Sequence, residues 1–183
     1  MIKRLLSYCA LVGIACGAFC APQQARADDN KEYLVKAAFI YNFVKFIEWP
    51  DGKAISQQSN IDICVFGDSP MSGAGSVFKA ASTPKLTLSL VKENDLKNIP
   101  AHCHVVFVSR SESGRMGEVL AALKGKPVLT VADMDDFAEH GGMIGFVMSD
   151  NKVKVAVNKK AVTSTGMRVD AQLLEIALKV IDR

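Results

Sequence analysis

The chain has 183 residues, of which 22 are lysine or arginine and 19 are aspartate or glutamate, giving a formal charge of +3. Three basic residues (Lys3, Arg4 and Arg26) and no acidic ones lie within the first 27 positions, so the remainder carries no net charge. This balance gives no reason to expect a nucleic-acid partner or binding to an anionic membrane surface.

Residues 1–27 have the pattern of a secretory signal peptide. Lys3 and Arg4 precede an apolar segment that extends to about Phe19, and Ala25-Arg26-Ala27 is a small-x-small cleavage site. We expect these residues to be removed on export and residues 28–183 to form a single domain. No later segment approaches the roughly 20 apolar residues needed to cross a bilayer, so the mature protein is not expected to span a membrane.

The segment KAAFIYNFVKFIEWP, residues 36–50, predicts a helix that is apolar around most of its circumference and ends at Trp49-Pro50. Asp28, Asp29 and Asn30 are candidates for its N-cap. Such a helix is either fully covered within its own domain or covered in part by another chain. The residues that we expect to form a dimer or partner surface are Phe39, Tyr41, Phe43, Phe46 and Trp49.

Further along the chain, strand and helix patterns alternate. Alternating or continuous apolar residues predict strands over 61–66, 85–91, 105–108, 127–131, 143–148 and 153–157. One short helix is predicted after the first of these strands, ending at about residue 80. Further helices are predicted over 116–123 and, at the C-terminus, over 169–181, with a helical turn at 137–140. Ser149-Asp150-Asn151-Lys152 is a hairpin signal between the last two strands.

This order predicts a three-layer α/β domain with a mostly parallel sheet and helices on both faces, of the Rossmann or flavodoxin-like kind. The C-terminal hairpin would add an antiparallel edge, followed by the terminal helix. In a flavodoxin-like sheet the order of the first three of these strands would be 2-1-3.

Export leaves Cys64 and Cys103 as the only thiols, and in an oxidising compartment two such cysteines are expected to pair. The alternative is a metal site, because Cys103 lies between His102 and His104. In an extended segment the two histidines would face away from the cysteine, and no further ligand motif is present, so no metal is expected.

The loops after the predicted strands are where a ligand would bind in such a sheet. Ser109, Arg110 and Asp133 occupy these loops, and with Arg168 they are the candidate ligand-binding residues. The glycines between Gly67 and Gly75 match neither a dinucleotide nor a phosphate-loop motif, so no cofactor is expected. The sequence contains no serine in a G-x-S-x-G motif and no pair of carboxylates spaced for general acid–base catalysis. A binding protein is therefore favoured over an enzyme.

Six sequence blocks together resemble the YfiR family over essentially the whole chain after residue 27. They are KAAFIYNFVKFIEWP, ICVFGD, HCHVVFVS, VLTVADMDDFAEHGGMIGFV, KVKVAVN and TGMRVDAQLLEIALKV. Val169-Asp170-Ala171 departs from the family pattern of a hydrophobic residue followed by two serines. This departure weakens any transfer of a binding role to that loop.

The resemblance implies a periplasmic repressor that binds the periplasmic sensory domain of an inner-membrane diguanylate cyclase and lowers cyclic-di-GMP and biofilm formation. It also implies a homodimer and a structural disulfide. The alternative is a periplasmic small-molecule or redox sensor that acts on another signalling partner.

Overall fold

The computed structural model describes residues 23–50 and 60–182, and the side chains from residue 30 onward. The predicted signal peptide lies outside this range except for its last five residues. No helix in the described segments is both long enough and apolar enough to cross a membrane.

Six α-helices and nine strands lie in the described residues. The helices are α1 (Gln23–Phe46), α2 (Gly75–Ala81), α3 (Ile99–His102), α4 (Met116–Leu123), α5 (Lys159–Thr163) and α6 (Ala171–Ile176). The strands are β1 (Ile47–Glu48), β2 (Asn60–Phe66), β3 (Thr87–Glu93), β4 (Val105–Val108), β5 (Leu129–Ala132), β6 (Ile144–Ser149), β7 (Lys152–Asn158), β8 (Arg168–Val169) and β9 (Lys179–Ile181).

Seven of these strands form one mixed sheet in the order β3-β2-β4-β5-β6-β7-β9. The strands from β3 to β6 are parallel, and only the β6–β7 hairpin is antiparallel. The predicted 2-1-3 order is confirmed, because β2 lies between β3 and β4. The mostly parallel α/β class is confirmed with it.

Alternation along the strands divides the core into two layers. On β2, Ile61, Ile63 and Val65 join a cluster that includes buried residues of α1, α2, α5 and α6. Cys64 and Phe66 point to the opposite face, where the cluster includes residues of α3 and α4. The central strands are therefore covered on both faces, which explains why β4 is apolar at every position.

The first helix ends earlier than the sequence predicts. α1 stops at Phe46, and Ile47–Glu48 form β1, which pairs antiparallel with β8 in a separate two-stranded sheet. Trp49 is anchored by its indole N–H, which donates to the Pro127 carbonyl at 3.2 Å. The predicted N-cap residues lie inside α1, since the described helix already begins at Gln23.

The prediction of a terminal helix over 169–181 is wrong in its second half. α6 ends at Ile176 because Ala177 adopts an extended backbone. The Leu178 N–H donates to the Val155 carbonyl at 2.8 Å, and β9 then pairs parallel with β7. Strand pairing along the otherwise open edge of β7 prevails over the helical pattern, so β9 forms the edge in place of the predicted hairpin.

The predicted disulfide is present. Cys64, within β2, is bonded to Cys103, which follows the last residue of α3, and their Cα atoms are 5.8 Å apart. The bond closes a loop with a sequence separation of 39 residues. It ties the helix that precedes β4 to the neighbouring strand.

Replacing both cysteines by alanine should lower the free energy of unfolding by about 4 kcal/mol, because the unfolded chain regains the entropy of an open loop of this length. Urea denaturation of the mature chain measures the difference. The control is the unsubstituted protein reduced with a phosphine, which should lose a similar amount. Equal stability of the oxidised protein and the double variant would contradict this structural role.

Candidate functional site

Two buried polar residues lie side by side where β4 and β5 end. Val108 and Ala132 are partners in the parallel ladder. The residues that follow them, Ser109 and Asp133, therefore both lie at the carboxyl ends of the strands. Both are buried. Parallel α/β sheets bind their ligands at the carboxyl ends of the strands.

The Asp133 carboxylate is held by two side chains of α1. Its Oδ2 atom accepts a hydrogen bond from the Tyr33 hydroxyl at 2.5 Å and another from the Lys36 ammonium at 2.9 Å. The Lys36 and Asp133 side chains are each only 4% exposed. Because a buried charge is costly without a partner, this ion pair fixes α1 against the end of β5.

Lys36 is surrounded by further compensating groups. Its ammonium is 2.5 Å from a carboxylate oxygen of Glu32, one helical turn earlier, and 4.3 Å from the centre of the Tyr33 ring. Burial raises the pKa of the Tyr33 hydroxyl well above its usual range, and the hydrogen bond to Asp133 and the charge of that carboxylate add to the increase. The phenol therefore stays protonated and acts as a hydrogen-bond donor.

Hydrogen-bonding capacity remains at this site. Among the described side chains, Ser109 Oγ and Asp133 Oδ1 are buried and have no hydrogen-bond partner. Arg110 donates from its guanidinium to the Asp133 main-chain carbonyl and lies 3.8 Å from the Asp135 carboxylate. The structure thus brings three of the four candidate ligand-binding residues together.

Arg110 and Asp133 border a cleft of about 490 Å³, whereas Ser109 lies behind them and is not one of its lining residues. Its lining is acidic at Glu32, Asp133, Asp135, Asp136 and Glu139, basic at Lys36, Arg110 and Lys179, and otherwise mostly apolar. The cleft exists because the chain between β5 and β6 forms turns and contains no helix that could cover this half of the sheet. A cleft of this volume is of the size that holds small molecules.

The loop that forms one wall of the cleft is closely packed. A Cβ atom added to Gly142 would lie 2.2 Å from the Phe137 ring, so glycine is required there. The Gly142 N–H donates to the Phe137 carbonyl at 2.9 Å, and the buried Asn158 amide donates to the Ala138 carbonyl at 2.7 Å. This wall is therefore preformed rather than assembled around a ligand.

Arg168 does not belong to this group. It lies in β8, its side chain is exposed, and its guanidinium pairs with the Glu48 carboxylate at 3.0 Å. Arg168 is absent from the lining of the cleft. Its assignment as a ligand-binding residue is not supported by this placement, because its partner is a residue of the small β1–β8 sheet.

The predicted partner surface on α1 is largely turned inward. Phe43 is 0% exposed and Trp49 is 6% exposed, so both belong to the core of their own chain. Phe39, Tyr41 and Phe46 are half-buried and pack against that core. The large apolar side chains that α1 does expose are Leu34, at 40%, and Val35, at 46%.

Sequence reasoning missed Tyr33 and Lys36 as site residues. The available signal was Lys36 itself, a charged residue within an otherwise apolar helical segment. A lysine on the covered side of such a helix needs a buried acid, and Asp133 after a buried strand was a candidate partner.

The disulfide lies beside a histidine that could contribute to a metal site. Ligand atoms of Cys64, His102 and Cys103 all lie within 4.8 Å of one another. His104 has another role, because its Nδ1 atom accepts the Asp62 N–H at 3.1 Å, and burial lowers the pKa of its ring. While the disulfide is intact, its sulfurs offer no thiolate to a metal.

Comparison with known proteins gives one family match and several structural matches. The family model described as YfiR/HmsC-like matches residues 33–178. No curated protein matches the chain.

Two solved structures resemble the fold at low sequence identity. One is described as the ABC domain in complex with L-Trp from Streptococcus pneumonia, with 13% identity, a TM-score of 0.51 and coverage of 67% of this chain and 55% of that one. The other is a conserved domain protein from Vibrio cholerae O1 biovar eltor, with 8% identity, a TM-score of 0.52 and coverage of 81% and 60%. This chain thus spans little more than half the length of either, and the likeness concerns the fold.

Replacing Lys36 by methionine should destabilise the protein by about 3–5 kcal/mol, because the Asp133 carboxylate would remain buried without its cation. Lys45→Met is the matched control, since Lys45 is an exposed lysine of the same helix. Adding Asp133→Leu to Lys36→Met should recover part of the loss, which urea denaturation of all four proteins would measure. If the two lysine variants are equally stable, the ion pair does not fix α1 to the sheet.

Proposed function

This chain belongs to the YfiR/HmsC-like family, and from that premise we propose that it represses an inner-membrane diguanylate cyclase from the periplasmic side. Binding the cyclase's periplasmic sensory domain would lower cyclic-di-GMP and, with it, biofilm formation. The observation that carries this proposal is the family match over residues 33–178, which includes both cysteines of the disulfide and all the residues that line the cleft except Glu32 and Lys179. The family is a regulatory one of the periplasm.

Export fits the same proposal. The signal peptide expected over residues 1–27 would deliver residues 28–183, as a single domain, to the compartment where the sensory domain lies. An oxidising compartment is also where the Cys64–Cys103 bond would persist.

Repression of this kind needs no chemical step. A protein that binds the inactive conformation of the cyclase more tightly than the active one shifts the population by that difference in affinity. The Asp133 carboxylate serves here as a buried anchor for α1, since its Oδ2 atom is bonded to Lys36 and Tyr33.

We also propose that the mature protein is a homodimer formed through the outer side of α1. Leu34, Val35 and Ala38 are exposed there, and the half-buried Tyr41 lies one turn beyond Ala38 on the same side. Apolar side chains gathered on one side of a helix gain free energy when a second copy covers them.

A second candidate function is a periplasmic small-molecule sensor acting on another signalling partner. The cleft favours it, because a preformed wall, the Arg110 guanidinium and an apolar lining suit a small polar ligand with an apolar part. The two functions are compatible if a ligand in the cleft alters repression.

Deleting the gene should raise cellular cyclic-di-GMP in a strain that retains the partner cyclase, because its inactive state would lose the stabilising ligand. Cyclic-di-GMP in cell extracts is the measurement. An exported copy of the intact chain should restore the low level, while a copy that lacks residues 1–27 should not. An unchanged level after deletion would overturn the repressor proposal and favour the sensor.

Sedimentation of the mature chain at micromolar concentration should show a dimer. Leu34→Glu combined with Val35→Glu should produce monomers, since each change places a charge in the apolar contact. Ile176→Glu is the control, because Ile176 is also exposed but lies on α6. A monomeric unsubstituted protein, or dissociation by the control alone, would rule out this interface.

A further inference from the structure

We propose that the Cys64–Cys103 pair, once reduced, forms a zinc site together with His102. In the oxidised protein the ligand atoms of these three residues already lie within 4.8 Å of one another. Two thiolates and an imidazole form a donor set that Zn²⁺ accepts in proteins, with the fourth position left to solvent.

The backbone around the site does not depend on the disulfide. Cys64 lies in the middle of β2, where the ladder pairs it with Val91 on one side and Val106 on the other. The Cys103 N–H donates to the Ile99 carbonyl at 2.9 Å, and β4 begins two residues later. The two cysteines therefore stay neighbours after reduction.

The distances suit a metal once the sulfurs separate. Two thiolates bound tetrahedrally to one zinc ion lie about 3.8 Å apart, which follows from zinc–sulfur bonds of about 2.3 Å. The Cα atoms of Cys64 and Cys103 are 5.8 Å apart, so side-chain rotation can provide this spacing. Backbone movement is not required.

His102 has a carboxylate partner that would orient it. Its Nε2 atom is 3.2 Å from Glu93 Oε2, and Glu93 Oε1 is fixed by the N–H groups of Asn94 and Asp95 at 2.8 Å each. Histidines that bind metals commonly hold a carboxylate on their second ring nitrogen. The Nδ1 atom of His102 is thus the nitrogen assigned to the metal.

The site can be reached from solvent. The His102 side chain is 40% exposed, so an ion can reach the sulfurs from this side.

Metal binding follows reduction of the disulfide. Two molecules of a small thiol reduce the disulfide to two cysteine thiols and are themselves joined as a disulfide. Zn²⁺ then displaces the two thiol protons, which pass to solvent. The bound zinc ion keeps the two cysteines in the reduced state.

Cobalt(II), which reports thiolate ligands by their charge-transfer absorption, tests the site directly. The mature protein, reduced with a phosphine under nitrogen and then freed of it, should bind one Co²⁺ per chain in a tetrahedral spectrum that Zn²⁺ abolishes. The oxidised protein should show no such absorption. Circular dichroism of each sample reports whether the chain is folded.

The variant His102→Ala distinguishes metal binding by all three residues from metal binding by the two thiols alone. It should weaken Zn²⁺ binding to the reduced protein at least 10-fold, while His140→Ala, which removes a remote exposed histidine, should leave the affinity unchanged. Glu93→Gln should weaken it less than His102→Ala. The proposal is overturned if the folded reduced protein binds no metal, if His102→Ala binds as tightly as the unsubstituted protein, or if the reduced chain is unfolded and zinc does not refold it.

Discussion

Burial of the central parallel strands on both faces is the constraint on which the rest of the structure depends. β4 is fully buried, and its side chains divide between the two clusters on opposite faces of the sheet. Such a strand is stable only between two layers, which α1 and α2 provide on one face and α3 and α4 on the other. The cleft lies where this coverage ends, since the chain between β5 and β6 forms turns.

Two long-range links fasten the helical layers to this sheet, and they differ chemically. The covalent one joins Cys64 to Cys103 on the α3 side, and the electrostatic one joins Lys36 to Asp133 on the α1 side. The first responds to redox conditions, and the second depends on the exclusion of water from a buried ion pair. Both links lie at points where a helix meets a strand.

The position of the ion pair also links α1 to the cleft. Lys36 borders the cleft and bonds to Asp133, while Leu34 and Val35 on the same helix are exposed to potential partners. A ligand that altered the contacts of Asp133 would act on the anchor of the helix whose outer side we assign to dimerisation. A ligand in the cleft would affect that surface only if α1 had two arrangements and the ligand bound to one of them more tightly.

The sequence by itself determined the α/β class and the pairing of the two cysteines, because apolar periodicity and a count of two thiols are local or compositional signals. The order of the first three strands was expected only by likeness to flavodoxin-like sheets. Only the tertiary structure decided that residues 179–181 form a strand, since pairing with β7 outweighs a helical pattern. It likewise decided that Phe43 and Trp49 are core residues, and that Arg168 lies apart from Ser109, Arg110 and Asp133. Burial and long-range contacts depend on how layers pack, and an all-round apolar helix does not specify which of its sides faces its own sheet.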